Sequence, residues 1–281
     1  MITLKKQYLT AIIGMFIFVT ILNAGGISVD AGLTPAENRW IVRYQARQME
    51  RTGTNIMDVD VAMTTDMHVF NLAYGVRPQL TLMIMQGWAN RKSDMMGQAS
   101  GRNDMTLMAK YRLLRVNTRE TTLGVAATIK LLIPTGEEPF TTDYWSVSPG
   151  IFLSQRWNTW ALDASTEFRF NDLFDNRDDS LQRGWEISTN CAIARQIALG
   201  DNSAFSFAPV LEMTGSVTQP DMPAHVSFNF RESMIFLSPG MKLTYQSLIL
   251  EVLWQYPLWQ DIPDSAMEYS SKGLVGIRYM F

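Results

Sequence analysis

The chain has 281 residues, an aromatic fraction of 11% and only 18% charged residues, against about 25% charge in ordinary soluble domains. A formal net charge of −3 is no footprint for nucleic acid. The single cysteine, Cys191, rules out an internal disulfide, and no spacing of Cys and His suggests zinc, haem or another cofactor.

The beginning reads as an export signal. Lys5 and Lys6 precede an uncharged, largely apolar run from Leu9 to Leu22, and small residues offer cuts after Ala24 and after Ala31. The run is short for a membrane-spanning helix, and polar sequence follows at once. Residues 1–31 are therefore expected to be a signal peptide and 32–281 the mature domain.

Past Ala31 no apolar run suffices for a helical span, but period-2 alternation recurs, as expected when successive strand residues face opposite ways. In chain order the alternating segments are 39–48, 67–74, 79–86, 104–113, 122–133, 145–157, 160–171, 185–195, 205–215, 234–245, 248–256 and 273–281. The clearest is 104–113, where Met105, Leu107, Ala109, Tyr111 and Leu113 oppose Asp104, Thr106, Lys110 and Arg112. In 160–171, Leu162, Ala164, Thr166 and Phe168 oppose Asp163, Ser165, Glu167 and Arg169.

The connectors alternate between long and short, as in barrels with short periplasmic turns and long outer loops. A soluble sandwich also has alternating strands, but its connections need not alternate in length. Trp and Tyr fall near strand ends on the apolar parity, where a membrane–water boundary satisfies ring and polar tip together. The fold expected is all-β: an antiparallel up-and-down transmembrane barrel of about twelve strands in the outer membrane, in contact with its lipids.

The last strand ends Gly276-Ile277-Arg278-Tyr279-Met280-Phe281. Gly276, Tyr279 and Phe281 resemble the C-terminal signal read by the barrel assembly machinery, although Val275 stands where a polar residue is usual. Further pieces are Gly101-Arg102-Asn103-Asp104, Ala109-Lys110-Tyr111-Arg112, Lys130 to Ile133 followed by Pro134-Thr135-Gly136, Ser148-Pro149-Gly150, Ser238-Pro239-Gly240 and Leu250-Glu251-Val252 with Tyr256-Pro257-Leu258. Together these resemble the transporter-like outer-membrane family of the meta-pathway of phenol degradation. The resemblance implies a barrel of about twelve strands that passes small solutes, aromatic or hydrophobic compounds included.

The polar parity predicts the lumen. It carries Arg39, Arg43, Arg47, Lys110, Arg112, Lys130, Arg156, Arg169, Lys242 and Arg278 against Asp104, Asp163, Glu167, Glu186, Glu212 and Glu251, ten cations to six carboxylates. Such a lining predicts a polar pore with some anion preference. The alternative is a non-conducting barrel, closed by its own salt bridges, that serves as a structural or partner-binding scaffold. Met83, Met85 and Met108 fall inward, where flexible packing is a better reading than a soft-metal site. His225-Val226-Ser227 resembles the pair of outer-membrane phospholipases but lacks a third polar partner at the right distance, so no catalysis is expected. His68 reads as a rim residue and Cys191 as a small residue on the lipid face.

Overall fold

The computed structural model describes residues 25–54, 59–171, 181–182, 184–200, 204–219, 222–223, 231–263 and 266–281. The expected leader up to residue 24 and the His225-Val226-Ser227 motif lie outside them. Among the described residues sixteen strands follow in order. They are β1 (Trp40–Thr54), β2 (Asp60–Arg77), β3 (Leu80–Ser93), β4 (Gly97–Arg102), β5 (Met105–Asn117), β6 (Thr121–Ile133), β7 (Ser146–Trp157) and β8 (Trp160–Asn171). Then come β9 (Leu181–Gln182), β10 (Trp185–Arg195), β11 (Ile197–Leu199), β12 (Phe205–Gln219), β13 (Met222–Pro223), β14 (Glu232–Tyr245), β15 (Leu248–Asp261) and β16 (Glu268–Met280).

Twelve of these make the wall, each antiparallel to its chain neighbour, and β1 pairs with β16 to close it. At the seam Val42 faces Tyr279, and Trp40 and Phe281 exchange backbone bonds of 2.8 and 3.0 Å. Short β4 continues β5 upward along β3, β11 pads β12, and β9 with β13 forms a separate two-stranded ribbon. A closed wall has no edge from which to unzip. Unheated protein should therefore run at a different position on a denaturing gel from boiled protein. Identical mobility would be incompatible with this closure.

Alternation does what the sequence predicts. Leu107, Ile129, Ile151, Leu211, Val252 and Val275 are exposed outward, while Gln45, Ser154, Asp163, Glu212 and Glu251 are buried inside. Trp40, Tyr111, Trp160, Tyr245, Tyr279 and Phe281 ring one end, and Trp88, Trp145, Phe170, Tyr256 and Trp259 lie toward the other. A lipid-facing band between aromatic girdles accounts for both. Short turns gather at the end holding Phe281. In one of them, Asn158-Thr159, Asn158 has φ 49°, a left-handed conformation that asparagine tolerates.

The strands overrun their predicted limits. Much of the expected loop 49–66 is strand, because β1 and β2 stay paired up to Thr54 and Asp60. The expected loop 87–102 is mostly the β3–β4 hairpin, and 114–121 shrinks to 118–120. Beyond the lipid both faces of the wall meet water, so alternation fades while backbone pairing continues. Arg39 also falls just outside β1, exposed at the rim rather than in a strand.

Candidate functional site

The lumen is not empty. Residues 25–36 of the stretch before β1 run back inside the barrel, fastened to the wall largely by side chain to backbone bonds. Gly26 N donates to Asp163 Oδ2 at 2.9 Å, and Ile27 N and Ser28 Oγ donate to Glu212. Ser28 N lies 3.1 Å from each Glu212 oxygen. In the opposite sense, Lys242 donates to Gly25 O, Arg43 to Ile27 O, and Lys110 Nζ to Ala31 O at 2.7 Å. Gly32 N reaches Ser154 Oγ at 2.8 Å, and Thr34 Oγ1 reaches Pro78 O at 2.9 Å. The segment leaves past Gly75, whose carbonyl accepts from Asn38 N at 2.8 Å.

Shape supports the same seating. Ile27 is fully buried among Ala161, Ala194, Val210, Leu253 and Leu274, an apolar ring contributed by five inward-facing strands. At Gly124 an added Cβ would come within 2.6 Å of Leu33 Cδ2, so the segment packs closely over this bare wall position. Another would meet Ala36 O at Gly75.

Around this segment the wall charges are mostly paired. Glu251 bridges the seam, 2.6 Å from Arg43 and 2.6 Å from Arg278, which face each other in register. Arg156 grips Asp163 at 2.8 Å, and Lys130 holds Glu167 at 2.7 Å. Lys110 and Lys130 lie 5.3 and 5.8 Å from the ring centre of buried Phe152, within cation–π range. Asp30, on the inserted segment, feels Lys110, Lys130, Arg43 and Arg278. Burial by itself would raise its carboxyl, but these four cations outweigh that and hold it below the ordinary carboxylate range.

The remaining predicted lumen residues are spread along the axis. Arg112 approaches Thr34 at 3.4 Å at the mouth where the short turns lie. Arg47 donates to Gln45 Oε1 at 2.6 Å. Arg169 pairs with Glu186 at 2.9 Å in a more exposed region nearer the long loops. Asp104 anchors a loop: Gly136 N, Thr142 N and Thr142 Oγ1 all donate to it, at 2.7–2.8 Å. This explains Pro134-Thr135-Gly136, since a Cβ at Gly136 would strike Asp104 Oδ1 at 2.8 Å. Glu137 in the same loop binds Arg102 at 2.9 Å, a hydrogen bond that lowers its carboxyl from the usual value.

Met83 faces Met108 across the β3–β5 pair on the inner wall. His68 lies outward and exposed, hydrogen-bonded to Tyr44 at 2.7 Å, rather than at the rim. It sits in mid-strand because β2 begins seven residues earlier than alternation alone places it. Gly276 packs within 3.2 Å of Gln45 and Glu251 for a Cβ placed on it, while Tyr279 and Phe281 stay on the exposed outer face. Sequence reasoning missed the inserted segment itself. Its signal was compositional: Gly25, Gly26, Ala31 and Gly32 in a stretch without alternation, between an apolar leader and the first strand.

The family described as "Putative MetA-pathway of phenol degradation" matches residues 23–261. No curated protein matches the chain in sequence. Among solved structures, the COG4313 outer membrane channel from Pseudomonas putida F1 is similar, with 17% identity over 92% of this chain and 100% of that one, at a TM-score of 0.68. The β-domain of the Bordetella autotransporter BrkA aligns at 14% identity over 88% of this chain and 100% of that one, with a TM-score of 0.48. The first likeness is one of fold. A closed twelve-stranded barrel with a lipid-facing band places this chain in the bacterial outer membrane.

Proposed function

The chain belongs to the MetA-pathway of phenol degradation family, and on that footing we propose that it is an outer-membrane channel for small solutes, aromatic and hydrophobic compounds among them. Residues 25–36 keep it closed, and it conducts when they withdraw. The observation that carries this reading is the kind of fastening. The segment makes no strand pairing with the wall and is held by separate side chain to backbone bonds. Such contacts can be exchanged for water one at a time. A paired strand would have to leave as a unit.

The emptied path would combine the apolar ring that takes Ile27 with the Phe152 ring beside Lys110 and Lys130. That lining suits a solute with an aromatic body and either no charge or a negative one. The similar channel from Pseudomonas putida F1 is consistent with a conducting role.

Planar-bilayer recording tests this directly. The full chain should be mostly closed, and a variant lacking residues 25–36 should show stable conductance steps. If folded protein is silent in both forms, the scaffold reading replaces the channel. In the open variant, replacing Arg43 and Arg278 together by Gln should shift ion preference toward cations, because Glu251 then stands uncompensated in a low-dielectric wall. The shift should shrink near 1 M salt, where the Debye length falls to about 3 Å. An unchanged reversal potential at low salt would show that these charges do not line the path.

A further inference from the structure

We propose that the leader is removed by hydrolysis of the Ala24–Gly25 peptide bond, and that the ammonium group so created on Gly25 seats against Asp163 inside the barrel. Sequence alone leaves a cut after Ala31 equally open. The lumen separates the two.

Five buried or largely buried charged side chains are completed by residues 25–31. Asp163 accepts from Gly26 N, and Glu212 accepts from Ile27 and Ser28. Lys242, Arg43 and Lys110 donate to the carbonyls of Gly25, Ile27 and Ala31. Asp163 and Glu212 have no exposed surface at all, and Lys242 and Lys110 retain 2% and 5%. Among the described residues, every hydrogen bond to Glu212 comes from Ile27 or Ser28. A cut after Ala31 would remove these partners together: Asp163 and Arg43 would keep Arg156 and Glu251, but Glu212, Lys242 and Lys110 would exchange every hydrogen bond described for them for water. It would also take away Asp30, a carboxylate held among cations, and Ile27, which fills the apolar ring.

The first residue fits the role of a chain end. A Cβ on Gly25 would lie 2.6 Å from Asp163 Oδ2 and 2.8 Å from an Arg156 nitrogen. The backbone nitrogen of Gly25 shares that same Cα, so a cation there is within electrostatic contact of the carboxylate. Gly26 is as confined, with Val29 O 2.6 Å and Ala192 Cβ 3.2 Å from its would-be Cβ. Hydrolysis leaves a carboxyl on Ala24 and an amine on Gly25. The amine takes up a proton at neutral pH, adding one positive charge beside an acid whose two oxygens Arg156 contacts at 2.8 and 3.1 Å, so Asp163 would be shared between the guanidinium and the new chain end.

The experiment uses the full chain, exported by its own leader and purified from outer membranes. Intact mass and N-terminal sequencing should show a single chain beginning Gly25-Gly26-Ile27. A start at Gly32, or an uncut chain, overturns the proposal. The seat is read separately with an amine-selective acylating reagent at near-neutral pH. The Gly25 amine should be protected in the folded barrel and labelled after denaturation, with exposed Lys92 as the internal control. Labelling of folded protein as fast as Lys92 would overturn the seating. Neither readout depends on conduction, so a silent bilayer leaves both results standing.

Discussion

Replacing Glu251 by Gln should destabilise the folded barrel by about 3–5 kcal/mol, the range for breaking a buried ion pair by removing one partner. Glu251 has no exposed side-chain surface and is shared by two guanidinium groups, Arg43 and Arg278, each at 2.6 Å. Those arginines face each other across the β1–β16 seam, so without the carboxylate two like charges confront one another at the place where the barrel closes. A glutamine keeps the volume but offers one acceptor and one donor, and the donor points at a donor. The effect should fall toward the lower end, because Arg278 retains 23% of its side-chain surface and can reach water. Urea unfolding in lipid vesicles, followed by tryptophan fluorescence, measures it. A triple change of Arg43, Arg278 and Glu251 to apolar residues of similar size should be far better tolerated, since no charge is then left unmatched. A change below about 0.5 kcal/mol for the single variant, the level of an ordinary surface substitution, would show that the seam does not depend on this network.

Lysine placed on the lipid face should cost about 2–4 kcal/mol where it lies near the bilayer midplane. Leu107, Leu162 and Val252 are the test positions. Each sits within an alternating strand, paired with apolar outward neighbours: Leu107 with Ile84, Leu162 with Ile193 and Val252 with Met241. Lysine at Thr106 or Gln255, one parity away or on the inward row, should be much milder, since the charge then points into a polar interior. The comparison cancels the lost apolar contacts only partly, but a facing error would make the two sets equal in cost. The same unfolding measurement reads both sets: equal costs would mean that the two rows are not divided between lipid and lumen, and reversed costs that the wall is turned inside out relative to this structure.

Much of this wall is legible in one dimension. A strand in lipid must hide one face and wet the other, so position parity alone sorts Leu107 from Thr106 and Leu162 from Asp163. Local pairs are legible as well. The two-residue turn Asn158-Thr159 fixes the β7–β8 register, which sets Ser154 opposite Asp163 and brings Arg156 within 2.8 Å of it. Strand ends are less so, because the signal is the lipid and not the hydrogen bond. β2 runs from Asp60, seven residues before the alternation that marks it at Met67.

Parity along the chain therefore determined the barrel, its lipid and water faces and its outer-membrane setting. Only the tertiary structure decided what fills that lumen. Closure brings Glu251 to Arg43 across 208 residues of sequence, and Glu212 to Ile27 across 185. No period records such contacts, because they depend on the curvature that turns twelve strands into a ring. The inserted segment has no pattern of its own for a further reason. Its backbone is satisfied one group at a time by side chains from different strands, so its sequence need only be small, flexible and matched in charge to a surface that does not exist until the barrel has closed.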